Sequence, residues 1–249
     1  LMQTSEMFRS RAVQIAWFAA FLWAIHPFYV STVLYVVQRM TLLSCTFSLL
    51  FFIPYLHARE ALSANKISSA IGFLILAGFS ALLGFFSKEN VVLLPVQLLV
   101  IEFFLSFSGG KCASLWHRAF LRYCLIPAAL VVIAYPLKIL LEHSWGYMAT
   151  GVEERYGRSF TLYERLYTQQ RVLGDYIAGF LFPRMQSSGV FYDNYPLSAG
   201  LFHPISTLFW LVFHVGALVF SWINRKKMPI VFLGVWWFYC SHILESTAV

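Results

Sequence analysis

The chain has 249 residues, 59% of them hydrophobic and 12% charged, with a net charge of +7 and a mean hydropathy of +0.69. A soluble domain carries about a quarter charged residues, so this composition excludes one and points to a membrane protein. Of the four cysteines, Cys45, Cys124 and Cys240 fall in apolar runs and Cys112 in a short connection. That leaves no extracytoplasmic disulfide framework, and no CxxC or His/Cys spacing marks a structural zinc site.

A bilayer crossing needs roughly 20 mostly apolar residues. Seven such stretches are predicted, at about 12–28, 41–57, 68–86, 91–108, 120–141, 205–223 and 229–245. The expected fold is therefore all-α, a polytopic transmembrane bundle forming a single membrane domain over 1–249. The first span ends in "HPFYV", and "STVLYVVQR" after it has Val30, Val33, Leu34 and Val37 at the spacing of an interfacial helix. The second span leads to "HAREALSANK", and the third rises to "SKEN" at Ser87–Asn90. A long polar connection, 142–204, separates the fifth and sixth spans. Within it Leu162, Leu166, Leu173, Ile177 and Leu181 line one side of a segment whose other side carries Glu164, Arg165, Arg171 and Asp175. That pattern predicts an amphipathic helix over 162–182 lying on the outer leaflet, stopped by Pro183. The chain begins at Leu1 and stops just after the last span, which reads as a piece lacking sequence at both ends.

Basic residues fall on alternate connections. Arg9, Arg11, Arg59, Lys66, Lys111, Arg118, Arg122, Arg225, Lys226 and Lys227 share one side, whereas the short connections opposite carry only Arg39 and Lys88. This is the positive-inside bias, which puts the N-terminus in the cytoplasm. The excess of charge sets orientation and does not argue for a nucleic-acid partner.

With that topology His26, Gln38, Arg39, Lys88, Glu89, Asn90, Arg165, Arg171, Asp175, Arg184, Asp193, His203, His242 and Glu245 all reach the outer side. Ionisable groups near membrane depth are costly and line cavities or pair with one another. Arg and Lys suit a phosphate, the first by its bidentate fork and the second as a point charge. Carboxylates beside them suit general-base work or an acceptor hydroxyl. Plain structural readings stand next to these. Lys88 and Glu89 fit a helix-end ion pair, His26–Pro27 fits an interfacial helix stop, and Arg165 and Arg171 fit a solvated helix face. Glu102 within a span reads as a buried, hydrogen-bonded group facing a neighbouring helix.

The segments "HPFYVSTVLYVVQRMTLLSCTFSLLFFIPYLHAR" and "LLGFFSKENVVLLPVQLLVIE", with the later "FYDNYPLSAGLFHPIST" and "HILES", resemble the GT-C superfamily of membrane glycosyltransferases. The likeness is to the protein O-mannosyltransferase-like branch with C-terminal tetratricopeptide repeats, its bacterial members included. The resemblance implies inverting transfer of a sugar from a polyprenyl-phosphate donor to a protein or glycan acceptor outside the cytoplasm. In a bacterial member the membrane is the inner membrane and the active face is periplasmic. On these terms Arg39, Lys88, Gln38, Asn90, Arg171, Arg184, His203, His242 and Glu245 are candidates for substrate binding. Glu89, Asp193, Asp175 and His26 are candidates for catalysis, with Glu89 orienting Lys88 or a neighbouring polar group. A divalent metal requirement is left open. The family's catalytic acid usually lies in the loop after the first span, and "HPFYVSTVLYVVQR" contains no Asp or Glu, so that residue is expected upstream; tetratricopeptide repeats would follow Val249. Alternative classes are an O-antigen-ligase or polymerase-like enzyme, a transporter or flippase, and a non-catalytic membrane scaffold.

Overall fold

A computed structural model describes residues 11–107, 115–134, 137–138, 162–183 and 195–247. These segments are mostly helical, 195–205 being irregular, with no strand among the described residues. Helix α1 is Ala12–Ile25 and α2 is Val30–Leu34, joined through a 3-10 turn at Pro27–Tyr29. A second 3-10 turn, Val36–Gln38, runs into α3, Arg39–Ser63, which is followed by α4, Ile67–Ser87. A third, Glu89–Leu93, opens α5, Leu94–Phe107. Helix α6, Leu115–Phe120, passes through a π-helical turn at Leu121–Leu125 and continues over 126–134. The remaining helices are α7 (Leu162–Leu181), α8 (Ser206–Ile223) and α9 (Pro229–Thr247).

Among the described residues four helical stretches are long and apolar enough to cross a membrane: Val36–Ser63, Ile67–Ser87, Glu89–Phe107 and Ser206–Ile223. The pair Ala12–Ile25 and Pro27–Leu34, bent by 52°, makes a fifth if it is one span. Proline explains the bend, because Pro27 cannot donate to the helix ladder. The apolar part of α9, Pro229–Leu244, is shorter than these; sixteen residues give about 24 Å of helix against a hydrocarbon core of about 30 Å. The segment predicted to cross at 120–141 lies partly outside the described residues.

Helices α3 and α4 form the tightest pair, and the sequence of their turn shows why. Asn65 adopts a left-handed conformation (φ 56°), the Lys66 amide returns to the Ala61 carbonyl at 2.9 Å, and the Asn65 amide to Leu62 at 3.2 Å. This Schellman closure satisfies the last carbonyls of α3 and reverses the chain within three residues. Along α4 the buried positions are small: Ala70, Ala77, Ser80 and Gly84. Small residues let two backbones approach in a lipid setting where apolar burial alone gives no drive.

Helix α5 is the centre of the bundle. Its Leu94, Val96, Leu98, Val100, Ile101, Phe104 and Leu105 are buried against Phe52 and Tyr55 of α3, Leu125 and Ala129 beyond α6, and Phe232 and Cys240 of α9. Gln97 donates to the Ser241 hydroxyl at 3.0 Å, tying α5 to α9. The expected partner of Glu102 is present as well. Glu102 (7% exposed) accepts from the Tyr55 hydroxyl at 2.8 Å and pairs with the Arg59 guanidinium at 3.0 Å, and Arg59 is itself only 11% exposed. Arg59 therefore lies within α3 in a buried ion pair and is not one of the loop charges counted above.

Helix α7 docks on α8 and α9. Gly174 lies directly against the Trp210 indole, and a Cβ added there would fall inside the ring. One turn earlier, the Gln170 carbonyl meets His214 of α8, eight residues from the start of that helix or about 12 Å along its axis. Gly174→Ala is expected to displace Trp210 and loosen α7, at a cost of about 1–3 kcal/mol. A chemical denaturation series on purified protein, together with protease sensitivity of the 162–181 segment, checks this.

Candidate functional site at the Lys88 end of the bundle

The end of the bundle that carries Lys88 gathers polar side chains from five elements. The α4 helix closes at Ser87, whose hydroxyl bonds the Leu83 carbonyl at 2.9 Å, and the backbone then extends at Lys88 before the Glu89–Leu93 turn. That break aims the Lys88 chain across to α3, where its ammonium donates to the Thr41 hydroxyl at 3.2 Å. Thr41 in turn donates to the Gln38 side-chain carbonyl at 3.1 Å. Lys88, Thr41 and Gln38 form a hydrogen-bonded row over the start of α3.

Glu89 is exposed and makes no ion pair with Lys88. This corrects two expectations, the helix-end ion pair and the orientation of Lys88 by Glu89. The physical reason is the extended backbone at Lys88, which sends consecutive side chains to opposite sides. Arg39, the first residue of α3, is exposed and has no hydrogen bond or ion pair among the described residues. Asn90 is half-buried in the turn after Lys88. That turn packs on α9, where His242 lies against the rings of Phe238 (4.7 Å between centroids) and Tyr176 (5.9 Å).

The other candidates extend this band. Tyr176 of α7 also meets Phe28 (6.2 Å), and beside it the His26 ring stacks on Phe180 at 4.6 Å. Both His26 nitrogens are occupied: Nδ1 accepts from the Phe28 amide at 3.2 Å and Nε2 donates to the Phe180 carbonyl at 2.8 Å. In this arrangement His26 fixes a turn and a helix end, and neither nitrogen is open to a substrate.

Arg171 and Asp175, one helical turn apart, face the 195–198 segment. The Arg171 guanidinium donates to the Pro196 carbonyl at 2.9 Å and to the Ser198 hydroxyl at 3.3 Å, and lies over the Tyr195 ring at 5.0 Å. Tyr195 donates to Asp175 at 2.6 Å. Buried Ser198 is held by Thr168 (2.9 Å) and Thr207 (3.0 Å), which seats this segment between α7 and α8. His203, in a cis His–Pro peptide, is exposed. Arg184, Asp193 and the Glu245 side chain lie outside the described residues, although Glu245 itself belongs to α9. Among the described residues no group of three His, Cys, Asp or Glu side chains is placed to hold a metal ion.

Sequence reasoning missed two contributors. Thr41 reads as an ordinary residue within an apolar run, and nothing in the sequence marks it as the partner of Lys88. His214 joins α7, α8 and α9, with Nε2 at 2.8 Å from the Gln170 carbonyl and Nδ1 at 2.7 Å from the Tyr239 hydroxyl. An ionisable residue inside an apolar run is a marker in itself, and that signal was available for His214.

No family model matches the chain, and neither a curated protein nor a solved structure does.

Proposed function

We propose that the chain is the membrane part of a GT-C-type glycosyltransferase, transferring a sugar from a polyprenyl-phosphate donor to a protein or glycan acceptor. On this reading the Lys88 end faces the periplasm of a bacterial inner membrane, the remaining predicted spans complete the bundle, and tetratricopeptide repeats follow in the full protein. The carrying observation is that Lys88 is held by Thr41 rather than by Glu89, next to the exposed Arg39. Two cations and an exposed carboxylate then share one end of an apolar bundle. A lipid phosphate anchored at headgroup level fits that arrangement, because its charge grows as the sugar leaves and the cations stabilise the departing phosphate. Asp175 serves acceptor contact on this reading, with Arg171 holding the segment around it. The motif order from His26 through Lys88 to His242 and Glu245 adds support by resemblance.

The test is transfer in vitro. The full-length protein in detergent or vesicles, given radiolabelled polyprenyl-phosphate sugars, is expected to move label onto a protein or glycan acceptor. Absence of transfer from every such donor, with folded protein, would sink the reading.

A further inference from the structure

The turn between α8 and α9, residues 224–228, lies at the end of the bundle opposite Lys88. Helix α5 starts beside Lys88, and its last turns reach this corner: Phe103 stacks on Trp222 at 5.2 Å and Phe107 meets Phe232 at 5.1 Å. Arg225, Lys226 and Lys227 follow one another in the turn, and no Asp or Glu occurs anywhere in 103–141 or 194–244. The described carboxylates at this end belong to α3 and α5. Glu102 is buried against Arg59 and Tyr55, and Glu60 lies 3.9 Å from His57. None of the three turn cations forms an ion pair among the described residues.

A run of basic residues orients a chain wherever its side chains point, but Arg225 is held in one place. Its Nη1 donates to the Trp222 carbonyl at 2.7 Å, and its guanidinium lies over the Trp222 ring at 4.9 Å. That ring is itself fixed, because Phe103 stacks on it with 12° between the planes. The carbonyl uses part of the guanidinium's donor set, and the remaining N–H groups suit a bidentate grip on phosphate. A guanidinium already seated on an aromatic face has less freedom to lose when it binds. The backbone is closed as well. The Lys227 and Met228 amides both bond the Asn224 carbonyl, at 2.9 and 2.8 Å, and the two lysines stand exposed beside Arg225.

The cations border apolar surface on both helices. Val219 and Ile223 of α8 are exposed, and so are Met228 and Ile230 where α9 begins. An occupant of this corner must offer an anion and hydrocarbon together. We propose that the α8–α9 turn is a binding site for one acidic phospholipid. Arg225 grips the phosphate with Lys226 or Lys227 beside it, and the acyl chains lie along α8 and α9. A nucleic acid or an acidic peptide would match the charge alone and leave Ile223 and Ile230 uncovered. The site belongs to the leaflet away from Lys88, and the inference stands whether or not the chain transfers a sugar.

Native mass spectrometry of the full-length protein in detergent, titrated with phosphatidylglycerol or phosphatidylcholine of identical acyl chains, counts the bound lipid. One phosphatidylglycerol is expected to stay bound at concentrations at which phosphatidylcholine does not. Arg225→Gln should weaken that binding about tenfold or more, the loss of a charge-assisted contact. Arg225→Lys keeps the charge without the fork and the stacked pose, and should resemble Arg225→Gln. Lys66→Gln removes one exposed charge from the α3–α4 turn at the same end and should leave the binding nearly unchanged. Glycerol phosphate, the anion without the chains, should not displace the lipid. Equal retention of the two lipids overturns the proposal. So does a preference for phosphatidylglycerol that survives Arg225→Gln or Arg225→Lys, or an equal loss with Lys66→Gln. Displacement by glycerol phosphate overturns it too, since the site would then be one for a soluble phosphate.

Discussion

Lys88→Ala in the full-length protein is expected to abolish transfer from a polyprenyl-phosphate donor while leaving expression intact. The two halves of that expectation have separate grounds. Lys88 is only half-buried and donates to the neutral Thr41 hydroxyl, which keeps its bond to Gln38 after truncation. A stability loss of about 1 kcal/mol or less follows. On the proposed glycosyltransferase reading transfer responds differently, because an ammonium facing a phosphate that gains charge would act mainly in the transition state. Removing one such donor costs about a hundred- to a thousandfold in turnover. Lys88→Arg separates charge from geometry, since the guanidinium keeps the cation but not the compact point donor that fits Thr41. Thr41→Val should lie between wild type and Lys88→Ala, with the loss mainly in turnover if Thr41 positions the ammonium. Normal glycosylation by Lys88→Ala would remove Lys88 from the mechanism, whatever the fate of Arg39.

How much of this was legible in the sequence depends on the interaction concerned. Apolar runs near 41–57, 68–86, 91–108 and 205–223 are covariant with helix length and hydropathy, and the four long helices appear at those places. The α3–α4 connection turns on Asn65, a residue type that accepts the left-handed cap it adopts there. Periodicity also fixes which side of residues 162–182 is apolar, but not what covers it. The close approach of Gly174 to Trp210 shows that α8 does so in part, and two residues 36 positions apart cannot announce that contact. Charge counting failed at Arg59 for a related reason: the rule knows which residues are basic, not whether a helix end has a carboxylate across from it. At the candidate site, the placing of Lys88, Gln38 and His242 on one side followed from topology, whereas Thr41 between Lys88 and Gln38, and Tyr176 beside His242, required the side-chain geometry.

The largest stability effect is expected at the opposite end of α3. Arg59 lies eighteen residues beyond Thr41, about 27 Å along the helix, so its role separates cleanly from that of Lys88. Arg59→Met takes the guanidinium from beside the Glu102 carboxylate, which is 7% exposed and still accepts from Tyr55. Breaking a buried ion pair by removing one partner costs about 3–5 kcal/mol. Glu102→Gln should cost less. The amide still accepts from Tyr55, and Arg59 sits within the last turns of α3, where its long stem can carry the charge toward the helix end. The pair itself is not expected to be the source of net stability, because two charges lose their hydration when they are buried together. Arg59→Met with Glu102→Leu should therefore recover most of the loss, yet not all, since the hydroxyl of Tyr55, a residue 2% exposed, would lose its Glu102 acceptor. Adding Tyr55→Phe removes that last orphan and should bring the triple variant to wild-type stability or above. Unfolding by a graded denaturing detergent, followed by tryptophan fluorescence, measures the series. An Arg59→Met protein as stable as wild type would mean that Glu102 is not held as a buried carboxylate. If the order holds and the triple variant still transfers sugar, the buried pair belongs to assembly of the α3–α5 core and the chemistry belongs to the Lys88 end.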